Sequence, residues 1–133
     1  MREILFKAKH IHILNDNKHL DGTWVEGFLV DENHINSPEL EGEFLIDPET
    51  ICQYTGMLDK NGNKIWENDI VKKVDTNALG YHRERFCIVS FDKFGYWKIT
   101  TTLGDAYFIG EFDNEQLEVI GNIFDNPELL QDI

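Results

Sequence analysis

Long apolar runs are missing from this chain. No stretch approaches the roughly 20 residues that a membrane-spanning helix requires, and Met1-Arg2-Glu3 leads into a mixed, strand-like segment instead of a secretory signal. The expectation is a cytoplasmic protein, with no membrane association. Cysteine is scarce: Cys52 and Cys87 are the only two, both within apolar stretches. Two cysteines cannot build a disulfide framework, so buried free thiols are expected. Glycine-rich phosphate loops are also missing, because the glycines are spread singly among turns.

Positive charge is absent from one end. Residues 101–133 hold 8 acids and no Lys or Arg, residues 1–50 hold 11 acids and 4 bases, and residues 51–100 hold 6 acids and 8 bases. Acidic ends thus flank a mildly basic middle, with a total of −13. Affinity for duplex DNA comes from Lys and Arg that displace counterions, so general nucleic-acid binding is disfavoured. The two short basic groups, Lys72-Lys73 and His82-Arg83-Glu84-Arg85, read as solvated strand ends before they read as a phosphate-binding patch.

What is present is enough for a packed fold. A chain of 133 residues buries roughly two-thirds of its unfolded surface, and aromatic rings occur along its whole length, which argues against disorder. Short apolar segments alternate with turn residues, and long amphipathic helical patterns are absent, the pattern of a mainly β protein. Strands are expected at Glu3–Lys9, Trp24–Val30, Glu43–Ile46, Lys64–Val74, Arg85–Asp92, Tyr96–Thr102, Ala106–Ile109 and Leu117–Ile123. Asp92-Lys93-Phe94-Gly95 should turn a hairpin, with Gly95 taking positive φ. Asn126-Pro127-Glu128 should cap a short terminal helix over Pro127–Asp132, and Asp47-Pro48-Glu49 should form one helical turn leading to Cys52. The charge break suggests two small β subdomains, 1–50 and 51–133, within one compact unit. The strand spacing of the second reads like a small SH3-like barrel.

Each residue group that could carry chemistry has a structural rival. Asp59-Lys60-Asn61-Gly62 superficially matches a calcium loop, but Gly62 comes two positions too early and Ile70 stands where the bidentate glutamate belongs. A turn is the better reading. Glu67 and Asp69 would share one sheet face if the segment stayed extended, as an acid–base pair requires. The competing expectation is that Asn68 turns left-handed, Asp69 accepts hydrogen bonds from nearby amides, and Ile70 and Val71 enter the core. His10 and His12 have a spacing that zinc could use, yet two ligands do not make a closed site, and solvent-facing imidazoles on an edge strand are expected. Neither cysteine has a glycine elbow or nearby base, and Ser37 and Ser90 lack a nucleophile's setting. No metal or other cofactor is expected. Tyr54, Trp66, Tyr96, Trp97 and Tyr107 are large enough to dominate either a core or an interface.

The string Gln53-Tyr54-Thr55-Gly56 through Asp59-Lys60-Asn61-Gly62 to Trp66-Glu67-Asn68-Asp69-Ile70-Val71 resembles the signature of the YopX family. There a Gln-Tyr-Thr-Gly turn leads through Asp-x-x-Gly into an aromatic-Glu-Gly-Asp-Ile-Val strand. Met1-Arg2-Glu3-Ile4 resembles the family's opening, and Leu117–Ile123 followed by Asn126-Pro127-Glu128-Leu129-Leu130 resembles its close. Asn68 departs from the family's glycine, and as the non-glycine residue most tolerant of a left-handed backbone it supports a turn there. The polar loop Asp75–Glu84 is the part expected to vary. The resemblance implies a phage or prophage protein of mainly β fold and carries across no catalytic residues.

The reading that results is a non-enzymatic phage or prophage accessory protein, a β module that binds a protein partner and self-associates. Its expected surface is Tyr54, Trp66 and Trp97 around the Glu67-Asn68-Asp69 turn, because aromatic anchors dominate interfaces. Two alternatives come from other classes. One is an acidic nucleic-acid mimic that occupies a host DNA-binding protein. The other is a small hydrolase or ligand-binding barrel that uses Glu67 and Asp69.

Overall fold

The computed structural model describes residues 4–11, 22–76, 79–80, 82–102, 104–109 and 116–130. Its strands are β1 (Phe6–Lys9), β2 (Trp24–Asp31), β3 (His34–Ser37), β4 (Gly42–Leu45), β5 (Cys52–Leu58), β6 (Lys64–Trp66), β7 (Asp69–Thr76), β8 (His82–Phe91), β9 (Trp97–Thr101), β10 (Ala106–Phe108) and β11 (Leu117–Asn122). The fold is mainly β, in two antiparallel sheets, as the alternation of short apolar runs and turns predicts. The chain divides into two compact units, Met1–Tyr54 and Thr55–Ile133, and the division falls inside β5.

In the first unit β1 lies between β2 and the start of β5, and β3 joins β2 to β4. One face of these strands carries Ala8, Val25 and Ile35, which pack with Ile46 and are ringed by Phe6, Phe44 and Ile51. Alternation along the strands puts these residues on the same side. The far ends of β1 and β4 meet: His10 bridges Ile46, the Asp47 amide donates to the Lys9 carbonyl at 2.9 Å, and the Ile11 amide donates to Leu45 at 2.9 Å. The sheet therefore curls tightly, although the bridge is isolated and no barrel closes among the described residues. Gly27 permits the curl, because a Cβ added there would collide with the Asn36 carbonyl oxygen.

In the second unit five strands run in the order β10-β9-β8-β7-β11, and the end of β5 pairs with β6. Ile65, Val71, Cys87, Val89, Trp97, Ile99, Ile109 and Leu117 form its core. The SH3-like barrel is not confirmed: among the described residues β10 and β11 remain at opposite edges of an open sheet. The expected Phe86–Phe91 and Tyr96–Thr102 hairpin is present as β8 and β9, with Gly95 at φ 91°.

Several elements differ from expectation for identifiable reasons. Strand β3 went unpredicted because polar His34, Asn36 and Ser37 mask its alternation. The Gln53-Tyr54-Thr55-Gly56 segment is not a turn but the body of β5. Lys64–Val74 is two strands, since Glu67-Asn68 interrupts it, and much of the supposed loop from Asp75 to Glu84 extends β7 and β8. At the C-terminal end Pro127–Leu130 makes a single 3-10 turn, so the longer helix is not confirmed, and residues 131–133 lie outside the described residues. Asn126 does not cap that turn with its side chain; its Oδ1 accepts from the Asn122 amide at 3.2 Å. Asp47 does cap the 3-10 turn Pro48–Thr50, accepting from the Glu49 amide at 3.0 Å.

Candidate functional site

The central motif folds as a sequence of fastenings. Leaving β5, the chain turns through Asp59-Lys60-Asn61-Gly62, where the Asp59 amide donates to Asn63 at 2.8 Å and the Gly62 amide to Asp59 at 3.0 Å. The Asp59 carboxylate is only 2% exposed. Its Oδ1 accepts from the Asn61 and Asn63 amides, each at 2.9 Å, and its Oδ2 accepts from the Val119 amide of β11 at 2.8 Å. Burial works against the charge, but the Val119, Asn63 and Asn61 amides outweigh it and hold the group below its ordinary pKa. Asp59 is thus a turn residue, as its sequence setting implies, and also the link between that turn and a strand far along the chain. No local signal announced Val119.

The second fastening is the tight turn between β6 and β7. Asn68 adopts φ 69°, the left-handed conformation expected of it. Asp69 then lies buried with its Oδ2 accepting from the Trp66 amide at 2.8 Å, while Ile70 and Val71 are fully buried. The Asn68 amide donates to Val89 at 2.8 Å, and its carbonyl accepts from Ile123 at 3.1 Å. Because Glu67 and Asn68 form a turn, Glu67 and Asp69 do not lie two apart along one extended face.

Of the six residues expected to form an interaction surface, the three rings lie inside. Tyr54, Trp66 and Trp97 are 7%, 5% and 6% exposed. Ring area gained them a place in the interior, which corrects their role as surface anchors. Tyr54 also belongs to the first unit and the other five residues to the second. Glu67 and Asn68 are half-buried and Asp69 is buried.

Other groups correct the sequence expectations in the same way. His10 is buried, with its Nδ1 2.7 Å from the Leu45 carbonyl and its ring edge-on to Phe44, so it is no solvent-facing imidazole; His12 lies outside the described residues. Among the described residues no three His, Cys, Asp or Glu side chains converge as a metal site would need. Both cysteines are free and buried, as expected, and the Cys52 thiol donates to the Thr50 carbonyl at 3.3 Å. The middle basic groups are drawn into contacts within the unit. Lys72 lies 3.2 Å from Glu118 and 3.6 Å from Glu84, Arg85 lies 3.3 Å from Asp105, and buried Lys73 sits 4.2 Å from the Tyr107 ring centre.

Some aromatic residues that were not expected to form a surface are exposed. Phe91, Phe94 and Phe108 are 49%, 76% and 47% exposed, all at one end of the second sheet. Phe91 leans on Trp97 with centroids 4.8 Å apart, and Phe108 on Tyr96 at 4.3 Å. Tyr96, Lys98, Ala106, Tyr107 and Phe108 line an open groove of about 300 Å³ along edge strand β10. The Tyr96 hydroxyl bonds Asp92, which lifts the phenol above its usual range. Burial opposes the Asp92 charge, yet bonds from Tyr96, the Phe94 amide and Lys98 hold that carboxyl below its usual range. One signal for this surface was legible: a phenylalanine in the hairpin turn Asp92-Lys93-Phe94-Gly95 has no core to enter.

The chain belongs to the YopX family: that family's sequence model, described as YopX protein, matches residues 7–131. The match spans both units and every strand from β2 to β11. No curated protein shows significant similarity to the chain. Among the described residues no helix is long and apolar enough to cross a membrane.

Proposed function

We propose that this YopX-family chain is a non-enzymatic phage or prophage accessory protein, a β module that works by binding a protein partner. The observation that carries the reading is the exposed aromatic end of the second sheet, Phe91, Phe94 and Phe108, beside the open edge of β10. Exposed aromatic anchors concentrate interface energy, and an unpaired strand edge offers main-chain hydrogen bonds to an extended segment. A second copy of the chain could use the same edge, which is the basis for self-association.

The alternatives draw less support. An acidic nucleic-acid mimic needs a continuous row of carboxylates free of cations; unpaired glutamates occur in the first unit beside exposed apolar residues, and in the second Glu84, Glu118, Asp92 and Asp105 each meet a Lys or Arg. A hydrolase built on Glu67 and Asp69 needs a titratable carboxylate facing a cleft. Asp69 instead faces the Trp66 amide.

Affinity purification from a phage-carrying host, followed by mass spectrometry, tests the proposal against the double variant Phe94→Ser, Phe108→Ser. The expected result is a partner held by the wild type and lost by the variant. Equal recovery by both proteins removes the aromatic end as the binding surface. Light scattering after size exclusion tests self-association, and a monomer at high concentration overturns it.

A further inference from the structure

The first unit presents a different surface, built from the outward side of β2, β3 and β4. Strand alternation sends Trp24, Glu26 and Phe28 away from the core that Val25 joins. Register then places Phe28 beside Asn36, and Asn36 beside Glu43. Phe28 is 52% exposed, and Leu40, in the loop between β3 and β4, is 56% exposed. A groove of about 330 Å³ separates that loop from β2, lined by Lys7, Trp24, Glu26, Ser37, Glu39 and Leu40. After Leu29 the pairing slips, and Leu29 and Val30 are exposed as well, so with Phe28 three successive apolar residues of one strand face water.

Charge around this apolar centre is mostly acidic, with Lys7 of β1 directly across from Glu26. Between Lys18 and Lys60 the chain has no Lys or Arg. Glu26, Glu32, Glu39, Glu41 and Glu43 make no ion pair among the described residues, whereas Asp31 meets His34 at 2.9 Å. The Lys7 and Lys9 ammonium groups lie 4.5 and 5.5 Å from the Trp24 ring centre, at one side of the groove.

We propose that this face docks a basic polypeptide, a segment of another protein that presents Lys or Arg side chains around an apolar anchor. Phe28 and Leu40 supply the apolar centre, and Glu26, Glu39, Glu41 and Glu43 the complementary rim. Complementarity selects among occupants. A nucleic acid or an anionic membrane surface meets like charge, and a second copy packed face to face sets each carboxylate against its own counterpart. A cationic segment with an apolar side chain satisfies both parts of the face.

The inference is independent of the aromatic end of the second sheet, and the test keeps the two apart. The probe is a synthetic peptide of alternating Lys and Leu, titrated into the full chain labelled with nitrogen-15. The amides of residues 24–45 are expected to shift. Phe28→Ser, or Leu40→Ser as a second exposed substitution, is expected to weaken binding about tenfold, as is Glu41→Lys with Glu43→Lys. The Phe94→Ser, Phe108→Ser variant is expected to bind the peptide as the wild type does. Failure to bind, shifts centred on residues 82–108, or undiminished binding by both serine variants overturns the proposal; the last outcome leaves only unspecific attraction of charge.

Discussion

The two units spend their acidic residues in opposite ways. In the second, six described carboxylates are tied into the fold: Asp59 and Asp69 are buried on main-chain amides, and Glu84, Glu118, Asp92 and Asp105 each meet a Lys or Arg. In the first, Glu32, Glu39, Glu41 and Glu43 are exposed and make no ion pair among the described residues, in the unit that also exposes Phe28 and Leu40. Net charge alone therefore says little about what an acidic chain can bind. Glu118 illustrates the neutralised kind, since its bond to Lys72 holds it below its ordinary pKa and raises Lys72 in turn.

The contrast breaks most visibly at Gly27. A Cβ there strikes the Asn36 backbone, which cannot swing aside, so Gly27→Ala should cost about 3–5 kcal/mol. Hydrogen exchange should report lost protection in β1–β4 with protection retained in β7–β9. Equal loss in both units would mean that they do not respond separately.

Asp59 is the corresponding point in the second unit. Asp59→Ala strands three amides and should cost about 2–4 kcal/mol by denaturant titration. Asp59→Asn keeps one acceptor but turns an NH2 group toward a donor, so it should also destabilise. The carboxyl's pKa is lower folded than unfolded, so its contribution is present above the ordinary value of 3.8 and fades as pH falls through the folded value. Acid titration should find Asp59→Asn less stable than wild type at neutral pH and the gap narrowing below that value. A gap constant with pH would show that the charge contributes nothing.

A smaller effect is expected at Asn68. Asn68→Ala places a residue with no local hydrogen-bonding side chain at φ 69° and should cost about 1 kcal/mol, whereas Asn68→Gly should be neutral or slightly stabilising. Thermal unfolding checks both. If alanine matches glycine, backbone strain is not what selects asparagine here.

Much of the second unit could be read locally, because its signals act over a few residues. Gly95 and Asn68 lie in turns that their own φ preferences favour, and the β8–β9 hairpin follows from two apolar runs on either side of one of them. The family's closing motif has a reason of this kind too. A Cβ at Gly121 would come within 2.5 Å of the Asn126 side chain, which bonds back to the Asn122 amide, so the asparagine in this place favours glycine at 121. Strand β3 was less legible, since its polar residues hide the period, and the curl that joins His10 to Ile46 is set by strands distant in sequence.

The candidate surfaces were the least legible part. Sequence put Trp66 and Trp97 forward by size, but size favours the interior and the interface alike. The phenylalanine rings left outside include Phe28 in the first unit and Phe91, Phe94 and Phe108 in the second. The amino-acid sequence by itself determined the β class, the turns at Asp59–Gly62, Glu67-Asn68 and Asp92–Gly95, the free thiols and the family, since each depends on local conformational preference, on composition or on a contiguous motif. Only tertiary structure decided which aromatic rings face water, that Asp59 reaches Val119, and which carboxylates keep their charge free. Those outcomes depend on what distant strands bring alongside each residue, and no local preference encodes that.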